Sequence, residues 1–95
     1  MFVLSAKLTF YVPMSKSLKD KRMVARRLLD KTRHKFKVSI AEVGTQEAHQ
    51  TLTIGFAVVS GEHSHAVEMQ DEIIRYLDGN TDAELTSVEK GTPDE

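Results

Sequence analysis

The residues of this sequence best placed to bind a ligand are four cations, Lys19, Arg22, Arg26 and Arg33. On a helical wheel they fall within about 60° of each other, and at ~1.5 Å rise per residue they make a stripe roughly 20 Å long. Ammonium and guanidinium groups spaced in this way could follow a row of phosphates, a contact that is salt-sensitive and indifferent to base sequence. Structured RNA is therefore one partner to expect. The stripe also has two plainer readings: a solvated helix face, or a face neutralised by an acidic surface elsewhere in the fold.

A second candidate is a carboxylate. Glu42 shares the parity of Val38 and Ile40 in a short β-branched run, so it points to the apolar side of that segment, where an unpaired charge would be costly. Lys21 falls inside the apolar arc of the helix that carries the stripe and could reach Glu42 along its methylene stem, making a buried ion pair. The functional alternative for Glu42 is a site acid of raised pKa, but no second carboxylate or metal ligand lies near it in the sequence. His63 and His65 stand two apart at a helix start, so they diverge by about 200° instead of converging on a metal. His34 and His49 are isolated in polar surroundings and read as surface residues. G-x-S-x-G, Walker, Rossmann and H-E-x-x-H patterns are absent. No catalytic residue, metal site or cofactor is expected.

The chain has 95 residues, 40% of them hydrophobic and 28% charged, a composition suited to one globular domain with one core. It contains no cysteine, which excludes a disulfide framework, a thiolate metal site and a cysteine nucleophile, and suits a reducing cytoplasm. Residues Met1 to Val12 are apolar but alternate and include Lys7, without a basic lead-in or a small-residue cleavage pattern, so no signal peptide is expected. No segment approaches the ~20 consecutive apolar residues of a membrane-spanning helix, and the expectation is a soluble cytoplasmic protein with no membrane partner. The net charge of −1 hides a division. Ten of the thirteen Lys and Arg residues lie between Lys16 and Lys37 with only Asp20 and Asp30 against them, a net of +8, and the remainder carries −9. Such a split marks either an anionic partner or two elements that attract each other, within the fold or across a dimer.

The elements that position these residues follow from periodicity. In residues 2–12, Phe2, Leu4, Ala6, Leu8, Phe10 and Val12 alternate with Val3, Ser5, Lys7, Thr9 and Tyr11, the pattern of a half-buried strand. Pro13 ends it, and Ser17 with Asp20 reads as a capping box. The helix that follows runs to about Lys35 and gathers Leu18, Val24, Ala25, Leu28, Leu29, Thr32 and Phe36 into an arc of roughly 140°. Val38 to Val43 and Gln50 to Ser60 pair as a hairpin across Gly44 to His49, with Gly44 at the positive-φ position. A second helix spans Glu62 to Asp78, buries Ala66, Met69, Ile73, Tyr76 and Leu77, and stops at Gly79-Asn80; its outer side is acidic through Glu68, Asp71, Glu72 and Asp78. A last strand covers Ala83 to Lys90, and residues 91–95 read as a flexible C-terminal tail.

This order, β-α-β-β-α-β, is the ferredoxin-like arrangement: an α+β fold with a four-stranded antiparallel sheet, strand order 4-1-3-2, and two helices on one face, here over residues 1–90. The other sheet face would present Tyr11 with Ser5, Lys7, Ser39, Ala41, Thr53, Gly55, Ala57 and Val59. With a single aromatic, it lacks the stacking platform of sheet-surface RNA binders. A bare face of small side chains suits a homodimer or another protein, the second partner to expect. An acylphosphatase of this fold would need a glycine-rich loop with an arginine after the first strand, and Tyr11-Val12-Pro13-Met14-Ser15-Lys16-Ser17 has neither.

At Ser17-Leu18-Lys19-Asp20-Lys21-Arg22, continued by Val24, Arg33, Phe36, Val38-Ser39 and Ala41-Glu42-Val43, the chain resembles the YlxP-like family of bacterial proteins of unknown function. The likeness spans nearly the whole chain and departs at Ala48-His49, where relatives often carry an aromatic residue. It implies the ferredoxin-like fold and no established activity. Family genes tend to sit near translation and ribosome-maturation genes, which adds the ribosome to structured RNA as a partner to expect.

Overall fold

The computed structural model describes residues 1–91, in the order β1 (Phe2–Tyr11), α1 (Leu18–Phe36), β2 (Ser39–Glu42), β3 (Thr51–Ser60), α2 (His63–Gly79) and β4 (Glu84–Gly91). The strands form one antiparallel sheet in the order β2-β3-β1-β4. β1 lies inside it, paired with β3 from Phe2↔Ser60 to Tyr11↔Thr51 and with β4 on its other edge. Both helices cover one face. Ala6, Leu8 and Phe10 of β1 with Leu52, Ile54, Phe56 and Val58 of β3 meet Ala25, Leu28 and Leu29 of α1 and Ala66, Ile73 and Leu77 of α2. Full burial of a large apolar side chain stabilises by about 1.5–3 kcal/mol, so this layer holds the helices on the sheet.

α1 starts where the capping residues place it. The Ser17 hydroxyl accepts the N–H of Asp20 at 3.1 Å, satisfying one of the donors left free in the first turn. The reciprocal bond of a capping box is shifted by one residue: the Asp20 carboxylate accepts the N–H of Lys16, at 2.9 Å, instead of that of Ser17. The helix ends at Phe36 because Lys37 turns left-handed, φ 50°, and returns its N–H to the carbonyl of Arg33 at 2.8 Å.

Several side chains differ from the periodic reading. Met69 and Tyr76 are half-buried, and the residue buried between the turns of Ala66 and Ile73 is Gln70. Its amide is accommodated because Nε2 donates to the carbonyl of Ser5 at 2.7 Å. Thr53, assigned by alternation to the open sheet face, is buried, since the β2–β3 loop folds over it and the Thr45 and Thr53 hydroxyls share a 2.9 Å hydrogen bond. Gly44 is left-handed at φ 60°, and so is Thr45 at φ 46°. Gly91 is the last residue of β4 and pairs with Ser5; the rest of the expected tail, 92–95, lies outside the described residues.

Candidate nucleic-acid interface

Lys21 is the innermost charged residue of α1. Its side chain is 0% exposed, because its place on the wheel lies in the arc that packs against the sheet. A buried ammonium costs several kcal/mol unless it is met by acceptors and opposite charge. Nζ donates to the carbonyls of Thr45 at 2.6 Å and Gln46 at 3.2 Å. It also stands 3.0 Å from Glu42 Oε2. That last contact is too bent to be a hydrogen bond, leaving Oε2 buried with charge attraction as its compensation. The parity of β2 turns Glu42 toward the helices, and its side chain is 17% exposed. One lysine thus ties α1, the end of β2 and the β2–β3 loop together. Gln50 completes the attachment, its side chain donating to Ser15 O at 3.2 Å and its carbonyl accepting from Val12 N at 2.9 Å.

Beside this pair the cationic residues divide. Arg22, Arg26 and Arg33 line a cleft of about 390 Å³ between α1 and β2, together with Asp30 and Glu42. Arg22 and Arg26 are exposed, and among the described residues neither forms an ion pair or a side-chain hydrogen bond. Arg33 is anchored: Nη2 donates to the carbonyl of Ile40 at 2.6 Å, and Nη1 lies 3.8 Å from Asp30 Oδ1. It therefore forms a fixed wall of the cleft, a restraint that helical spacing does not reveal. Lys19 is exposed on the same helix but outside the cleft lining. Arg27 and Lys31, which the stripe omits, sit on the opposite flank of α1 beside Asn80, Thr81 and Asp82.

One carboxylate of the acidic helix is engaged by β4. Asp71 of α2 accepts from Lys90 of β4 at 2.8 Å, and that hydrogen bond is the first cause holding the Asp71 carboxyl below the usual carboxylate range. Among the described residues, no ion pair joins α2 to α1. The helices meet instead through Phe36 and Tyr76, edge to face at 5.3 Å between centroids, with Lys35 Nζ 5.6 and 5.8 Å from the two rings.

The open face of the sheet carries Ser5, Lys7, Ser39, Ala41, Gly55 and Ala57 along a shallow depression, with Tyr11 42% and Val59 58% exposed. Lys7 is paired with Glu89 at 3.1 Å. Val43 lies across Gly55, where an added Cβ would come within 3.2 Å of its Cγ2. The described residues contain no cluster of three potential metal ligands, and no described helix is long and apolar enough to cross a membrane.

Comparison with solved structures finds a de novo designed protein with a ferredoxin fold, known from solution NMR, which superposes with a TM-score of 0.58 over 100% of this chain and 88% of that one, at 10% identity. At that identity the likeness concerns the fold alone. Among curated proteins, the uncharacterized protein YlxP of Bacillus subtilis (strain 168) is 34% identical over 70 residues, 74% of this chain and 76% of its own length. The family described as protein of unknown function (DUF503) matches residues 3–90. With the cleft-lining residues and the whole β-α-β-β-α-β core inside that match, the chain belongs to the DUF503 family, in which YlxP stands.

Proposed function

We propose that this chain is a noncatalytic module that binds the phosphate backbone of structured RNA, alone or within the ribosome, through the arginine-lined side of α1. The observation that carries the reading is that Arg22 and Arg26, two exposed guanidinium groups one turn apart, flank a cleft without an internal carboxylate paired to them, among the described residues. A guanidinium presents a planar fork of donors suited to phosphate oxygens. At ~1.5 Å rise per residue the two are offset by about 6 Å along the helix, and Arg33 adds a third, immobilised cation further along. Among the described residues, no carboxylate of α2 forms an ion pair with them.

The test is binding of a labelled RNA hairpin and of ribosomal subunits across a salt series, with wild type and the Arg22→Glu, Arg26→Glu variant. Affinity should fall steeply with salt for the wild type and collapse in the variant. Equal binding by the two proteins would remove the cleft from consideration.

A second reading is supported by the exposure of Tyr11 and Val59 over a floor of small side chains on the open sheet face. That surface suits a second copy of the chain or another protein. A dimer on a sizing column that persists in high salt and is lost in Val59→Lys would favour it, and a monomer at all salts would count against it.

A further inference from the structure

Apart from Asp30, which stands 3.8 Å from Arg33, the α1–β2 cleft contains one carboxylate that phosphate binding leaves unused. Glu42 lies in its wall among Arg22, Arg26 and Arg33, and a carboxylate beside guanidinium groups weakens a site for phosphate alone. Lys21 offsets this. Its buried ammonium stands 3.0 Å from Glu42 Oε2 on the side away from solvent, neutralising the carboxylate from behind while the arginines keep their charge for a ligand. What Glu42 still offers through its exposed portion is an ionised acceptor with no donor of its own. A ligand that satisfies the whole cleft therefore carries an anion and, within a few ångströms of it, a hydrogen-bond donor. The repeating unit of RNA has both, a phosphate and the 2′-hydroxyl of the adjoining ribose. Carboxylates recur as acceptors for ribose hydroxyls, and the 2′-hydroxyl is the group by which proteins tell RNA from DNA.

We infer that Glu42 makes this cleft selective for ribose over deoxyribose: Arg22 and Arg26 hold neighbouring phosphates while Glu42 accepts the 2′-hydroxyl between them. The inference rests on the phosphate-binding reading of the same cleft and adds the sugar to it. Lys21 is the positioning residue, fixing Glu42 through charge and fixing the loop beside it through the Thr45 and Gln46 carbonyls. Arg33, held by Ile40 O and close to Asp30, limits how far a backbone can slide along the helix.

The test compares a fluorescein-labelled RNA hairpin with the same hairpin carrying 2′-fluoro nucleotides, which keeps the phosphates and the A-form sugar pucker but removes the donor. The wild type should bind the hydroxyl form about tenfold more tightly, the effect of one charge-assisted hydrogen bond. The Lys21→Met, Glu42→Met variant, which replaces the buried pair with apolar side chains of similar length, should bind both hairpins equally with an unchanged salt slope. Equal binding of the two hairpins by the wild type, with the dependence on Arg22 and Arg26 intact, would overturn the role of Glu42 and leave the phosphate reading standing. Failure of the wild type to bind either hairpin would defeat both. Displacement of the hairpin by adenosine monophosphate as effectively as by unlabelled hairpin would overturn RNA as the ligand in favour of a free ribonucleotide. The comparison of hairpins on the wild type needs no variant, so it decides the matter even if the double substitution disturbs folding.

Discussion

The ammonium of Lys21 and the carboxylate of Glu42 lie 3.0 Å apart with the lysine fully enclosed, so one end of the seam between α1 and β2 is closed by charge, while Arg33 ties the other end to the Ile40 carbonyl. Lys21→Met alone would strand a largely buried carboxylate and should cost about 3–5 kcal/mol. The double change Lys21→Met, Glu42→Met removes both charges, and the Thr45 and Gln46 carbonyls it releases belong to exposed residues that water can reach. Most of the lost stability should therefore return. Urea denaturation of the two variants measures this, and equal losses would show that the lysine acts through the loop carbonyls instead of through Glu42.

Charge reversal on the two flanks of α1 should have unequal consequences. Arg22→Glu with Arg26→Glu should abolish salt-dependent RNA binding, while Arg27→Glu with Lys31→Glu, beside Asp82 on the far flank, should weaken it severalfold at most. All four side chains are exposed, so thermal stability should move by no more than about 0.5 kcal/mol per substitution. Equal loss of affinity from both pairs would mean that RNA responds to overall helix charge and not to the cleft.

Gln70 is 4% exposed and donates to the carbonyl of Ser5 at 2.7 Å. Gln70→Met keeps the side-chain length but leaves that acceptor without its partner, and should destabilise by about 1–3 kcal/mol. Hydrogen exchange near Ser5 should quicken in parallel. A variant as stable as the wild type would show that Ser5 O has adequate access to water without Gln70.

Lys37 adopts φ 50° at the end of α1, a region that costs a residue bearing Cβ about 1–2 kcal/mol. Lys37→Gly should relieve that strain and, after the greater chain entropy of glycine in the unfolded state, give a net gain of up to about 1 kcal/mol. A rise in melting temperature checks it, and a fall would mean that the lysine side chain contributes more than the backbone loses.

The hydrogen bond from Lys90 depresses the Asp71 pKa. A carboxylate whose folded pKa lies below its unfolded value stabilises the fold above the ordinary aspartate range, and that contribution is lost as pH falls through the depressed value. Lys90→Gln should return the Asp71 midpoint toward the ordinary range in an NMR titration and remove this part of the acid dependence of stability. An unchanged midpoint would assign the depression to Arg75, the other cation acting on Asp71.

The architecture was legible in the sequence because it rests on two local periods. Alternation through Leu4, Ala6, Leu8 and Phe10 can bury one side only as a strand, and the spacing of Ala25, Leu28, Leu29 and Thr32 can do so only as a helix. The same two rules turned Lys21 and Glu42 toward a common interior. Tertiary structure alone decided which groups each charge meets. Nothing in the spacing of Arg33 points to the Ile40 carbonyl, nor does that of Asp71 point to Lys90, Gln70 to Ser5, or Lys21 to the carbonyls of Thr45 and Gln46. Periodicity orients a side chain about its own element, whereas its partner depends on which other element lies alongside and in what register. The difference between a cation with no ion-pair partner among the described residues and an anchored one is of the second kind, and it separates Arg22 and Arg26 from Arg33 on one and the same helix.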